Sequence, residues 1–373
     1  MTTDLPVIFS ELPLNNGQLL GVATLNAPKA LNALSLEMIE QLLPKFRSWA
    51  DDKRIAAVWL EGSGDKAFCA GGDIVALYRS MTEYSGGGDP AKTNAYAETF
   101  FSTEYRLDYL IHTYPKPLIV WGNGIVMGGG MGLMAGAAYR VVTENSRLAM
   151  PEITIGLYPD VGGSWFLNHM PGRTGLFLGL TGANINAADA LFTGLADRFI
   201  THEHRNRVLG ALEEAGWEDP WKTVNQTLRE FEEPCLAELP DSPVQDHYQQ
   251  IQYLTDADSP LERIKKITSY QGDDKWLNRA VSTLAAGSPT SMLLIQEQLR
   301  RTRHASLKEV FQQELTVSVN CALKGEFAEG IRALLIDKDK KPRWRYPTAG
   351  SVEQQWVDSF FEPLWGINPL NDL

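Results

Sequence analysis

The chain alternates two kinds of hydrophobic pattern. Residues 19–25 read as a strand, residues 36–51 carry apolar side chains at helical spacing, and residues 56–61 form a short apolar run suited to a buried strand. The β-then-α order recurs, with a strand at 117–122, a glycine-rich turn entering a small-residue helix near 130–138, and a strand at 139–143. A third unit opens after Arg147. Residues 82–94 are polar and glycine-rich and read as a surface loop, placed to gate a site, ahead of a helix at 95–109. From about His202 the strand signals fade, and helical spacing dominates at 206–215, 261–270, 276–286, 291–303 and 307–324. The acidic stretch 220–260, punctuated by Pro234, Pro240, Pro243 and Pro260, is expected to be a connection. Trp344, Tyr346, Trp356, Phe360, Phe361 and Trp365 are expected to pack the C-terminal segment onto the body. The pattern as a whole predicts an α/β core over 1–200 and a mostly helical region over 201–373 that covers the site.

Composition narrows the classes. At 373 residues the chain can bury a large core, and its formal net charge of −12 opposes attraction to nucleic acid or to an anionic membrane surface. Residues 117–139 carry no charge and are long enough to span a bilayer, but seven glycines among these 23 residues argue for a buried strand and a tight loop. The cysteines Cys69, Cys235 and Cys321 have neither metal-ligand nor redox spacing, and the first residues carry neither a signal nor a transit pattern. A cytoplasmic, reducing compartment is expected, with no membrane and no nucleic-acid partner. The six histidines are scattered apart from His202 and His204, and no Gly-x-Ser-x-Gly elbow occurs, so neither a metal nor a serine triad is expected.

Three segments concentrate the remaining chemistry: Phe68-Cys69-Ala70-Gly71-Gly72-Asp73-Ile74, Gly128-Gly129-Gly130, and Pro151-Glu152 running on to Asp160-Val161-Gly162-Gly163. A glycine turn alone is usually a steric device. Two of them, each followed by a helix, can aim backbone N–H groups at one developing oxyanion, and glycine lets an acyl group approach the backbone. Glu152 then supplies a carboxylate. Considered singly, Glu152 could be an acid at a helix start, Asp160 a turn residue and Glu104 an acid on a helix face. Cys69, beside the first glycine turn, is better explained by buried packing than by nucleophilic attack.

Those segments, with Pro28-Lys29-Ala30-Leu31-Asn32 and the stretch from Leu180-Thr181-Gly182 to Gly194-Leu195-Ala196-Asp197, resemble the enoyl-CoA hydratase/isomerase, or crotonase, superfamily. The resemblance implies a spiral of ββα units. It implies that the N–H groups of Gly72 and Gly129 form an oxyanion hole and that Leu31, Asp73 and Ile74 line the CoA channel. Family hydratases use two glutamates, and this chain has Gly132 where the first would stand, which argues against hydration. Asp160, eight residues beyond Glu152, together with Ser288-Pro289-Thr290-Ser291, Phe327-Ala328-Glu329-Gly330 and Leu335-Ile336-Asp337-Lys338-Asp339, resembles the 3-hydroxyisobutyryl-CoA hydrolase branch, which serves valine breakdown.

By that resemblance Glu152 and Asp160 are catalytic, Glu104 belongs to the substrate pocket, and the ligand is an acyl-CoA with no separate cofactor. The family also allows a homo-oligomer without fixing its size. The competing readings are an enoyl-CoA or dienoyl-CoA isomerase using the same acid pair, and a silent acyl-CoA-binding or RNA-binding member. The hydrolase-like C-terminal segments disfavour the first, and the acid pair and negative charge disfavour the second.

Overall fold

A computed structural model describes residues 5–83 and 94–373. The expected gating loop falls largely on 84–93, outside the described residues. The chain divides into two compact units, each drawn from three stretches: Met1–Gly72, Leu107–Leu148 and Ile185–Gln245 in one, and Asp73–Arg106, Ala149–Asn184 and Asp246–Leu373 in the other.

The first unit is built on a six-stranded sheet. Its strands are β1 (Val7–Pro13), β2 (Leu19–Leu25), β3 (Ile55–Gly62), β5 (Leu118–Gly122), β7 (Tyr139–Val142) and β9 (Arg198–Phe199), in the order β1-β2-β3-β5-β7-β9. The hairpin β1–β2 is antiparallel and every later pairing is parallel. That explains the sequence pattern, because strands covered on both faces lack polar alternation: all five residues of β5 are buried, and so are seven of the eight in β3. The hairpin strand β1, whose alternation is weak, is an element the hydrophobic pattern alone did not predict.

The helix Leu36–Asp51 matches its predicted bounds. Ser35 caps it by accepting the Met38 N–H, and Met38, Ile39, Leu42, Leu43, Phe46 and Trp49 form its buried face. A second sheet of β4 (Ala67–Cys69), β6 (Ile125–Met127) and β8 (Arg147–Ala149) has the order β4-β6-β8.

The second unit is almost wholly helical. At its centre lies the helix Leu307–Leu323, started by a Ser306/Glu309 capping box and buried along eleven of its seventeen residues. The helix Glu326–Ile331 lies backbone against backbone on the 3-10 turn Glu152–Ile155. A Cβ at Gly330 would stand 2.3 Å from the Ile155 carbonyl carbon, so no side chain fits there. Among the C-terminal aromatics, Trp356 packs edge-on against Phe360 at 5.3 Å, with the Arg345 guanidinium 4.1 Å from a Trp356 ring.

The expected connection at 220–260 is instead mostly helix: Pro220–Cys235, Pro243–Asp246 and Tyr248–Thr255. Pro220 and Pro260 occupy the first turns of their helices, where proline lacks only an N–H that would have no partner, and Asp219 and Ser259 cap them. The prolines mark starts as well as stops. No described helix is long and apolar enough to cross a membrane.

Candidate active site

In the first unit, β4 and β6 run parallel with Cys69 opposite Val126, so both strands end at the same side. Each leads directly into one of the glycine turns. Gly128 caps the helix Gly129–Ala135 with φ 49° and ψ −121°, a conformation that side-chain-bearing residues avoid. Gly129 then opens the helix, where the first four N–H groups have no intrahelical acceptor. The turn after β4 is tied to the preceding loop: the Ala70 N–H donates to the Leu31 carbonyl at 3.1 Å, and the Leu34 N–H to the Gly71 carbonyl at 2.8 Å.

Leu31 and Asn32 both lie in the left-handed region, at φ 55° and 54°. The fully buried Asn32 amide holds that loop by accepting the Ala27 N–H and donating to the carbonyls of Ser63 and Ala67. Leu31 lines a groove of about 390 Å³ together with Lys29 and Lys66. This unit therefore brings Leu31, Gly72 and Gly129 into one neighbourhood.

The second unit gathers the three expected acids. Glu104 comes from the helix Ala95–His112, Glu152 from the first residue of the 3-10 turn, and Asp160 from the loop after Tyr158. Their exposures are only 2, 5 and 5%. Burial is the largest influence on all three and disfavours the charged form. Glu104 is pushed well above the usual carboxylate range by burial and then by the Asp160 charge. Glu152 is raised in the same way, with a smaller contribution from Glu104. Asp160 is raised by burial to about 6, held there by the opposing hydrogen bond from Tyr105. One oxygen of Glu104 and one of Glu152 are buried without a hydrogen-bond partner among the described residues.

Asp160 is anchored from behind. The Tyr105 hydroxyl donates to its Oδ2 at 2.6 Å and stands 2.7 Å from the Ser318 Oγ, which is 2.9 Å from the Tyr158 hydroxyl. Glu314 accepts the Gly162 N–H at 2.7 Å and the Ser164 N–H at 2.9 Å, and burial raises it to about 8. Between these anchors Val161 sits at φ 52°, a strained value for a β-branched residue. The loop carrying Asp160 is thus fixed on both sides of the strained residue.

Sequence reasoning missed Tyr105, Tyr158, Glu314 and Ser318. The signal was Glu314 and Ser318, one helical turn apart on a segment otherwise rich in buried apolar residues. Asp73 accepts the Ala76 N–H at 3.1 Å, at the start of the helix Ile74–Glu83, whose first residue is Ile74. Gly132, at the position where family hydratases carry a glutamate, is buried within the helix Gly129–Ala135. Among the described residues no group of three or more His, Cys, Asp or Glu could hold a metal ion.

The enoyl-CoA hydratase/isomerase family profile matches residues 20–361. The chain belongs to that family. A zebrafish protein named 3-hydroxyisobutyryl-CoA hydrolase, mitochondrial, is 40% identical over 349 residues, covering 92% of this chain and 87% of the relative. An Arabidopsis thaliana protein named 3-hydroxyisobutyryl-CoA hydrolase 1 is 34% identical over 351 residues, covering 91% of this chain and 88% of its own. Among solved structures, a carnitinyl-CoA dehydratase from Mycobacterium thermoresistibile superposes with a TM-score of 0.84 at 33% identity, over 96% of this chain and 97% of the other. An enoyl-CoA hydratase from Rhodobacter sphaeroides gives 0.81 at 32% identity, over 96% and 98%. The fold is therefore the crotonase-type α/β fold that the motifs predict, extended by C-terminal helices.

Proposed function

We propose that this protein hydrolyses the thioester of a short, branched 3-hydroxyacyl-CoA, 3-hydroxyisobutyryl-CoA foremost, to 3-hydroxyisobutyrate and free CoA. The observation that carries the reading is whole-length similarity to relatives bearing that activity in their names, on a chain that buries Glu104, Glu152 and Asp160. Gly132 leaves no carboxylate where a hydratase has its first glutamate, which supports attack on the carbonyl over addition to a double bond.

In the proposed reaction the thioester oxygen accepts hydrogen bonds from the Gly72 and Gly129 N–H groups, which stabilise the tetrahedral oxyanion. Glu152, as carboxylate, attacks the carbonyl carbon and the C–S bond breaks. CoA thiolate leaves, and water then cleaves the mixed anhydride and restores Glu152. The alternative within this reading is that Glu152 takes a proton from the water that attacks directly. Asp160 orients the substrate hydroxyl or the water, and Glu104 completes the acyl pocket.

Burial raises Glu152 well above the usual carboxylate range and Asp160 to about 6, so both acids hold a proton more readily than exposed carboxyls do. Leu31, Asp73 and Ile74 are assigned to the CoA channel, and the ammonium groups of Lys29 and Lys66 beside the Leu31 groove suit a ligand carrying phosphates. The chemistry calls for no resident cofactor. The three cysteines are buried and in no disulfide, which supports a reducing compartment: the cytoplasm on the reading of the sequence, the mitochondrion for the zebrafish relative by its name.

The test is release of free thiol from saturated, unsaturated and 3-hydroxylated acyl-CoAs. Fast release confined to the short 3-hydroxyacyl members is the expected result. A double-bond shift without thiol release would replace this reading with an isomerase.

A further inference from the structure

Beyond the acid pair itself, we infer that Tyr105 is a positioning residue for Asp160. Its phenol, backed by Ser318 and Tyr158, donates to the Asp160 carboxylate, fixes it in place and favours its charged form. This inference rests on the role proposed above for Asp160.

The hydrogens can be counted. Tyr158 has one hydroxyl proton and the Glu314 backbone carbonyl, which can only accept, at 2.9 Å. With that proton committed, the single Ser318 proton serves either Tyr105 at 2.7 Å or Tyr158 at 2.9 Å, and when it goes to the shorter contact Tyr105 donates onward to Asp160 Oδ2 at 2.6 Å. Each donor in such a chain polarises the next, so the bond that ends on the carboxylate is strengthened by the one behind it. The side chains of Tyr105, Tyr158 and Ser318 are buried, which excludes the water that would otherwise compete for the same oxygens.

The surroundings of Asp160 make this donor matter. From the helix Ala95–His112 it faces Glu104 and Tyr105, from the 3-10 turn Glu152, from its own loop Tyr158, and from the helix Leu307–Leu323 Glu314 and Cys321. All of these are acids or weak acids, and no lysine or arginine is among them. Burial raises the Tyr105 phenol well above its ordinary value, so it stays a donor throughout the working range. Without it Asp160 would take up a proton at higher pH. The carboxylate that orients the substrate hydroxyl or the water would then be lost over part of the neutral range.

The experiment is the pH profile of kcat/KM for thiol release by wild type, Tyr105→Phe, Ser318→Ala and Asp160→Asn. Tyr105→Phe is expected to move the acidic limb upward by about one to two pH units, with most of the rate recovered at high pH. Ser318→Ala is expected to move it in the same direction by less. A rate in Tyr105→Phe that falls evenly at every pH, with the limb unmoved, overturns the inference. Should Tyr105→Phe fail to fold, an unmoved limb in Ser318→Ala overturns it and an upward shift supports it. Asp160→Asn separates the two levels. If it retains full activity, the acid-pair reading fails whatever Tyr105 does. If it is inactive while the Tyr105→Phe limb stays put, only the positioning role fails.

Discussion

In the proposed reaction the glycine turns of the first unit and the carboxyl cluster of the second would supply chemistry in opposite ways. At Gly72 and Gly129 the proposed functional groups are backbone N–H donors, and the sequence contributes by leaving side chains out. At Glu104, Glu152 and Asp160 the proposed functional groups are side chains placed where burial opposes their charge. A backbone site should therefore be sensitive to added volume and indifferent to charge, and an acid site the reverse.

The largest effect that sharpens this contrast is expected from Glu152→Gln, which preserves shape and removes the ionisable group. Thiol release should fall by about 10³-fold or more while the thermal midpoint stays level or rises, as rate assays and calorimetry on one preparation would show. A variant retaining a tenth of the wild-type rate would remove Glu152 from the chemistry.

Next comes added volume in the other unit. A Cβ at Gly130 would lie 2.3 Å from the Cys69 carbonyl oxygen, a backbone atom that cannot step aside cheaply. Gly130→Ala is expected to cost about 3 kcal/mol of stability, seen as a lower denaturant midpoint. Wild-type stability and rate in that variant would show that the turn tolerates a side chain.

The smallest effect lies in the pH dependence of stability. Asp160 is raised in the folded protein from 3.8 to about 6, so the folded state binds its proton more tightly than the unfolded chain does. Its contribution to stability is fully present below about pH 4 and is lost as pH rises through about 6. Asp160→Asn should remove that loss. The midpoint of the variant, measured from pH 4 to pH 8, is expected to fall by a few degrees less than that of wild type, and identical curves would show that Asp160 titrates normally.

These differences also explain what the sequence disclosed. The helix Leu36–Asp51 was legible because its apolar stripe faces one way and Ser35 marks its start. The strands β3 and β5 were legible as apolar runs. The glycine turns and Pro151-Glu152 announce themselves as local motifs, since each is a run of consecutive residues. The support behind Asp160 does not: Tyr105, Tyr158, Glu314 and Ser318 stand up to 213 residues apart, and only folding makes them neighbours. The helix Pro220–Cys235 was hidden for another reason. Proline stops one helix and starts the next, and the residue alone does not say which; Asp219, one position earlier, does.

The division of the chain has a consequence for its synthesis. Each unit is stitched from three separated stretches, and the first lacks its last piece until Gln245 has been made. At ordinary elongation rates of about 5–20 residues per second, the β1–β2 hairpin leaves the ribosome roughly 10–45 s before that piece exists. The growing chain must keep strands such as β3 and β5, buried on both faces in the finished protein, from finding other partners throughout that wait. The acidic surplus of the whole chain helps here, since like charges on neighbouring nascent chains hold them apart until the last stretch arrives.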